Sequence, residues 1–547
     1  MNFIQTIFGH LHANPTKPVI VEVYGERLEP TDGERILGLV SRARGALRQR
    51  GFKPGERAVL LAPNSARWVA TDLALLAEGA IVVPMYARQN PTELAEMMHD
   101  CDPSVVICVD AVLASKVTAA WPDAPIVTFE QLFTGPPVDD EPVERTSQDP
   151  VTIVYTSGST GAPKGVVTTV ANADYMLPQT ATGLTRMMRL GGAISGDDVV
   201  FHYLPFCFAG SRIVLWTCLY RNNSVHISTD LDNMATEFGA VKPHYFLNVP
   251  VLLERIKNGV EAGIRKKPRP LRWLYRSARA AYLRKIDGNA SLKDRVVLRL
   301  ARRVLFSAIK ERIGPRLRCL ICGSAPLGEH TQRWFEMLGI PVYQVYGLTE
   351  TTAIVTMDTP AERVVPGRVG PALDGVHVRV GDNLEMQVRG PNVFSKYWNK
   401  PQETSDAFTH DGWFRTGDQG EVDQHGNWQI IGRVKNLIIP TSGHNIAPEP
   451  IEQLLIENIE SIEQAMLVGH GKAFVAVILT GDADADAVQK GIDAVNVDLP
   501  HYRRVRSFHL ASEPFTIENE LLTANQKMRR SAIEDHYHDI IEAFYAS

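Results

Sequence analysis

The stretch Val151-Thr-Ile-Val-Tyr-Thr-Ser-Gly-Ser-Thr-Gly-Ala-Pro-Lys-Gly-Val166 gathers anion-binding residue types in a short space. A β-branched apolar run leads into Thr156, Ser157, Gly158, Ser159, Thr160 and Gly161, and Lys164 closes the loop. Glycines let backbone N–H groups approach an anion closely, hydroxyls add donors, and the lysine brings a full positive charge. Such a loop is built to hold phosphate. A flexible surface loop is the plainer alternative, because Ser/Thr/Gly runs are often only that. That alternative needs neither an abutting apolar strand nor a Pro-Lys-Gly ending. The phosphate loop of many nucleotide hydrolases reads G-x-x-x-x-G-K-[ST]. Here Pro163 precedes the lysine and Gly165 follows it, so the pattern fails at both positions and leaves no adjacent hydroxyl for magnesium.

Tyr155 to Gly165 resembles the phosphate loop of the adenylate-forming (AMP-binding) superfamily, which includes acyl-CoA synthetases, peptide-synthetase adenylation domains and luciferases. Five further segments match in that superfamily's order: Gly323-Ser-Ala-Pro-Leu327, Tyr346-Gly-Leu-Thr-Glu350, Gly412-Trp-Phe-Arg-Thr-Gly-Asp418, Gly432-Arg-Val-Lys435 and Leu522-Thr-Ala-Asn-Gln-Lys527. The resemblance implies an enzyme that uses ATP, Mg2+ and CoA. It would activate a carboxylic acid as an acyl-adenylate and then pass the acyl group to a thiol.

It also implies a role for each match. Tyr346, with Gly347 beside it, would stack on adenine, bordered by the backbone of Gly323, Ser324, Ala325 and Pro326. Thr349 would donate to the α-phosphate, and Glu350 is an oxygen ligand suited to magnesium bridging the phosphates. Asp418, after a Thr-Gly turn, would accept the ribose hydroxyls, and Arg433 would hold ribose or phosphate. Lys527 would be catalytic, its ammonium stabilising charge at the α-phosphate as a carboxylate attacks. Taken singly these residues have ordinary readings: a core tyrosine, a solvated glutamate, turn chemistry at Asp418, a structural salt bridge at Arg433, and a solvated tail carrying Lys527, Arg529 and Arg530.

The elements that must position these residues are those of an α/β protein. Short apolar runs such as Arg57–Ala62, Ala80–Pro84, Val105–Cys108 and Val199–Leu204 alternate with helical patterns. At 547 residues the chain exceeds one compact core, and roughly three or four folding units are expected. A large N-terminal domain of several subdomains with mixed sheets, residues 1–434, is expected to carry the ATP and acyl sites. A small α+β domain, residues 435–547, is expected to follow, and the resemblance implies that it moves, with Lys435 at its hinge. A helix after Pro448 and a hairpin over Gln464–Leu479, turning at Gly469-His-Gly471, belong to it. Rotation between half-reactions makes physical sense, since pyrophosphate must leave before the thiol arrives, and Thr441–Ala447 would line the thiol's entry.

A composition of 44% hydrophobic and 22% charged residues is that of an ordinary globular protein. No signal peptide is read at the N-terminus, and no apolar run is long enough to span a bilayer. The six cysteines are scattered; Cys319 and Cys322 form a lone C-x-x-C read as buried thiols, which points to a reducing, cytoplasmic location. Nucleic acid is not an expected partner. The net charge of −5 conceals a basic block: residues 265–318 hold 18 Lys/Arg against 3 Asp/Glu. Within it, a helix capped by Ser291 with Asp294 and ended by Gly314-Pro315 carries an apolar stripe of Val297, Leu300, Val304, Leu305, Ala308 and Ile309. Arg295, Arg299, Arg302, Arg303 and Lys310 supply the other face. A solvated helix face and a peripheral contact with the inner surface of an anionic membrane are equally open readings.

Residues 301–318, Leu437–Pro448 and Glu513–Asn519 resemble the long-chain fatty acyl-CoA synthetases, so a medium- or long-chain fatty acid is the expected substrate. Two departures bear on it. Phe208 stands where the family often has a histidine beside the acyl site, and Thr169-Val-Ala-Asn172 replaces a His-Arg-Asn-like stretch. Transfer to a carrier-protein phosphopantetheine, β-lactone closure of a 3-hydroxy acid, and a catalytically silent nucleotide- or acyl-binding protein are the alternatives.

Overall fold

The structure, a computed structural model, describes residues 1–157, 163–189, 198–358, 360, 364–523 and 527–546. The chain forms two compact units: residues 1–377 with 389–412, and residues 378–388 with 413–547. The four-stranded sheet upstream of residue 434 thus groups with the C-terminal residues. The boundary expected at 434/435 falls inside the second of these units.

The first unit is built on two large sheets. One has seven strands in the order Lys396–Tyr397, Pro163–Thr169, Pro150–Ser157, Ile81–Met85, Arg57–Leu61, Val105–Cys108, Ile126–Thr128. It is parallel from Pro150–Ser157 onward and antiparallel at the other end. Every residue of Ile81–Met85 and Val105–Cys108 is buried, which explains why these runs are continuously apolar rather than alternating. The second sheet runs Thr356–Met357, Val342–Tyr346, Leu320–Cys322, Tyr245–Asn248, Val199–His202, Ser224–Ser228, Pro18–Tyr24, Arg27–Asp32. Its six inner strands are parallel, and its two edge strands are antiparallel.

Helices Ala66–Ala77 and Ala209–Tyr220 lie between the sheets and are joined by charge. Asp72 and Arg212, both buried, form an ion pair. Trp216 Nε1 donates to Asp72 Oδ2 at 2.8 Å, and Arg212 Nη1 donates to Thr152 Oγ1 at 2.5 Å. Glu78, at the end of the first of these helices, is likewise buried and paired with Arg44 at 2.7 Å and Arg48 at 2.8 Å. Asp72 and Glu78, polar residues within the largely apolar stretch from residue 58 to 87, therefore cross-link helices.

In the basic block, helix Arg269–Ile286 turns back through Gly288 and packs against a helix that starts at Leu292. Ser291 caps the latter: its Oγ accepts from Asp294 N at 3.2 Å, and Ser291 N donates to Asp294 Oδ2 at 2.9 Å. The helix continues through a π turn at Arg302–Phe306 to Ile313, and Gly314 follows. The expected apolar stripe is corrected here. Leu298, Ala301, Leu305, Phe306 and Ile309 are buried, whereas Leu300, Val304 and Ala308 face solvent. Leu305 and Ile309 of the expected stripe face the core and Val297 packs against it, but Leu298 and Ala301 set the inward face ahead of the π turn, so Leu300 already points outward there.

The second unit has strands His377–Val380, Glu385–Arg389, Phe414–Val422 and Trp428–Arg433 in one sheet. Its other sheet, Ile462–Val468, Val475–Gly481 and Val505–Ala511, packs with helices Pro448–Asn458 and Ala485–Asp498. The expected hairpin is present, with a longer turn: Gly469 and Gly471 have φ of 140° and 70°, and the return strand starts at Val475. All six cysteines are buried, unpaired thiols. Among the described residues no helix is long and apolar enough to cross a membrane.

Candidate functional site

In the first unit, strands Pro150–Ser157 and Pro163–Thr169 form the arms of the phosphate-loop hairpin, with Thr156 opposite Lys164. Gly158, Ser159, Thr160 and Gly161, and the side chain of Ser157, lie outside the described residues. Lys164 is half-buried. Strand Lys396–Tyr397 pairs with the returning arm, placing Tyr397 opposite Val166. The Lys164 ammonium sits 5.3 Å from the centre of the Tyr397 ring, and the Tyr397 hydroxyl donates to Glu350 Oε1 at 2.9 Å. Glu350 O accepts from Phe394 N at 2.8 Å. Lys164 and Glu350 are thus brought to the two sides of one tyrosine. Burial and the neighbouring Glu350 carboxylate push the Tyr397 phenol well above its usual range, so it remains a donor. Gly165 is required at the crossing: a Cβ there would lie 2.7 Å from Ile153 Cγ2.

The remaining first-unit candidates stand at the carboxyl ends of adjacent parallel strands, where open α/β sheets bind ligands. Gly323 follows Leu320–Cys322 and donates to Asn248 O at 3.1 Å. Ser324 has φ of 72°, and Ser324, Ala325 and Pro326 are exposed. Tyr346 ends strand Val342–Tyr346, half-buried. At Gly347 a Cβ would meet Ala353 O at 2.2 Å, which only glycine avoids. Thr349 and Glu350 lie, half-buried, on the short turn Thr349–Thr351.

Thr352 and Ala353 follow with φ of 49° and 78°, a conformation that non-glycine residues adopt only when held. Buried Asn392 holds them. Its Nδ2 donates to Ile354 O at 2.9 Å, and its backbone carbonyl accepts from Thr352 Oγ1 at 2.8 Å. Asn172, from the departing Thr169-Val-Ala-Asn172 stretch, does similar work one step away. Its Oδ1 accepts from Thr169 N at 2.9 Å, and its Nδ2 donates to Pro391 O at 2.8 Å and Val393 O at 3.0 Å. Phe208 is half-buried, 5.9 Å from the Tyr86 ring. Nearby His202 is fully buried, stacked on Phe206 and 2.6 Å from Ser211 Oγ. Burial pushes its imidazole down to about 4, so it is neutral at physiological pH.

In the second unit, Asp418 and Arg433 face each other on neighbouring strands, Oδ1 and Nε 2.6 Å apart. Asp418 is buried and its N–H donates to Thr416 Oγ1 at 3.0 Å. Gly417, with φ of 69°, donates to Glu385 Oε1 at 3.1 Å and makes the turn that presents the aspartate. Lys435 is exposed at its surface; partial desolvation and then Arg433 pull its ammonium below the usual lysine range, against the opposing pull of Asp418. In the Thr441–Ala447 segment, Gly443 has φ of 76° and the His444 ring stacks 4.1 Å from that of Tyr502.

Lys527 is exposed, and its backbone closes a turn with Thr523: Thr523 N donates to Lys527 O at 2.8 Å, and Lys527 N donates to Thr523 Oγ1 at 3.1 Å. Ala524, Asn525 and Gln526 lie outside the described residues. Arg530, three residues on, is no solvated tail. Its guanidinium donates to both oxygens of buried Glu452, at 2.8 and 2.5 Å, and that carboxylate also accepts from Leu467 N at 2.7 Å.

Tyr397, Asn392 and Glu385 are the contributors that sequence reasoning missed. Tyr397 comes from a two-residue strand, too short for any periodicity, and only its pairing with the phosphate hairpin exposes its position. Among the described residues no group of three or more His, Cys, Asp and Glu is arranged to hold a metal by protein ligands alone.

Residues 34–398 match the family model of the AMP-binding enzymes, and residues 435–547 match that of the AMP-binding enzyme C-terminal domain. A long-chain-fatty-acid–CoA ligase of Mycobacterium bovis, FadD15, is 26% identical over 541 residues, covering 90% of this chain and 89% of its own. Long chain acyl-CoA synthetase 3 of Arabidopsis thaliana is 24% identical over 587 residues, covering 94% and 86%. Among solved structures, ATP-bound MatB of Rhodopseudomonas palustris matches with a TM-score of 0.75 at 23% identity, covering 99% of this chain and 100% of that one. The o-succinylbenzoate CoA synthetase MenE of Bacillus subtilis, in complex with its acyl-adenylate, matches with a TM-score of 0.75 at 18% identity over 97% of each chain. At these identities the structural matches establish the fold.

Proposed function

The chain belongs to the AMP-binding enzyme family and is an AMP-forming acid–CoA ligase, and from that premise we propose that its acid is a medium- or long-chain fatty acid. The curated relatives named for long-chain fatty acids, matching over nearly the full length, support this choice of substrate. The observation that carries the site is the Lys164–Tyr397–Glu350 assembly, where a loop cation and a carboxylate flank one phenol.

In the proposed chemistry, Thr156, Ser157, Gly158, Ser159, Thr160, Gly161 and Lys164 hold the β- and γ-phosphates of ATP. Tyr346 and Gly347, with Gly323, Ser324, Ala325 and Pro326, take adenine; Asp418 takes the ribose hydroxyls and Arg433 the ribose or a phosphate. A carboxylate oxygen of the acid attacks the α-phosphorus, and pyrophosphate leaves. Thr349 and Lys527 stabilise the charge that gathers there. Glu350, a half-buried hard oxygen donor, would hold Mg2+. When bound, the ion neutralises phosphate charge. In the second half-reaction the CoA sulfur attacks the acyl carbon and AMP leaves. Residues 435–547 are proposed to turn about Lys435 between the two steps, offering Lys527 in the first and Thr441–Ala447 in the second.

The test is pyrophosphate release with ATP and magnesium over acids from acetic to stearic, with aromatic and 3-hydroxy acids included and CoA present or absent. Medium- or long-chain acids are expected to give the highest kcat/KM, acyl-CoA to appear only with CoA, and Lys527→Ala to release no pyrophosphate. An aromatic or short acid preferred over every fatty acid, or AMP turnover indifferent to CoA, overturns the reading.

A further inference from the structure

The helix that starts at Leu292 shows solvent a row of apolar side chains. Leu292, Val296, Leu300 and Val304, four residues apart, are 77%, 62%, 49% and 48% exposed. In a plain α-helix a four-residue row drifts around the axis; the π turn at Arg302–Phe306 offsets that drift and keeps Val304 beside the others. The row is not a core face left bare. The same helix buries Leu298, Ala301 and Leu305 on its other side. Arg295, Arg299 and Arg303 run alongside at the same pitch, all exposed, and among the described residues none forms an ion pair. The helix packed against this one adds Trp273, 63% exposed, with Arg272 and Arg276 around it in sequence. An exposed row of Leu and Val side chains is expensive in water, and this one lies in the most basic part of an acidic chain.

We propose that this face is a docking surface for an anionic lipid bilayer. Leu292, Val296, Leu300 and Val304 enter the boundary between headgroups and acyl chains, while the arginine row meets lipid phosphates. The charge argues for lipid over a second copy of the chain, because two such faces would oppose arginine to arginine. A ridge of mixed Leu, Val and Arg on a long helix lying flat is the form that interfacial helices take. The proposal is independent of which acid the enzyme activates.

The full chain is sedimented with vesicles of equal parts phosphatidylglycerol and phosphatidylcholine, and with phosphatidylcholine alone, at low and high salt. Binding to the anionic vesicles is expected, roughly tenfold or more above the neutral ones and weakened by salt. The variant Leu292→Ser/Val296→Ser/Leu300→Ser/Val304→Ser is expected to lose roughly tenfold or more of it at low salt. Arg295→Glu/Arg299→Glu/Arg303→Glu should lose the preference for phosphatidylglycerol. Circular dichroism and the melting temperature confirm that each variant is folded. No pelleting, or equal pelleting of the serine variant, overturns the proposal. So does a wild-type oligomer in vesicle-free solution that the serine substitutions dissociate, which would make the face a self-interface. Since partitioning is read without any acid present, this outcome and the fatty-acid assignment stand or fall separately.

Discussion

Tyr397 shows what a single side chain adds to two that motifs already mark. Its ring receives the Lys164 ammonium and its hydroxyl donates to Glu350. A hydrogen bond to a charged group contributes about 1.5–3 kcal/mol to stability, so Tyr397→Phe is expected to lower the melting temperature by a few degrees and, in the still-folded enzyme, to lower kcat/KM for pyrophosphate formation by about tenfold or more. An unaltered rate would mean that the phenol does not hold Glu350 for the reaction. Lys164 was marked in the sequence by the composition of its loop, and Glu350 by the resemblance of its segment to the AMP-binding enzymes. Tyr397 was not, because it reaches Glu350 from a strand 47 residues later in the chain. Asp418 and Arg433 were each marked by that resemblance, yet the ion pair between them follows from strand register, which no motif states.

At the scale of elements, the middle helical layer depends on Asp72 and Arg212. Removing one partner of a buried pair leaves the other uncompensated and costs about 3–5 kcal/mol. Asp72→Ala is therefore expected to destabilise the first unit by that amount in a denaturant titration. A loss below about 1 kcal/mol would show that Thr152 alone satisfies Arg212. The parallel strands were legible as continuous apolar runs, since burial on both faces leaves no alternation. The helix from Leu292 was legible in its cap and its end but only in part in its inward face: Leu305 and Ile309 are buried, whereas Leu300 and Val304 are not. The helix carries apolar residues on two sides, and the sequence pattern does not say which row meets the core.

At the scale of the whole molecule, the α/β class and the α+β character of the C-terminal residues were legible from texture along the chain. The grouping of residues 378–388 with 413–547 was not, because it depends on sheet pairing between segments far apart. The matches to both AMP-binding family models imply that the molecule puts a carboxylate oxygen on the α-phosphorus of ATP. That step leaves a chemical record. An acid labelled with heavy oxygen in its carboxylate should yield AMP carrying one labelled oxygen, pyrophosphate carrying none, and acyl-CoA retaining the other. Unlabelled AMP, or label in inorganic phosphate released with ADP, would contradict adenylation.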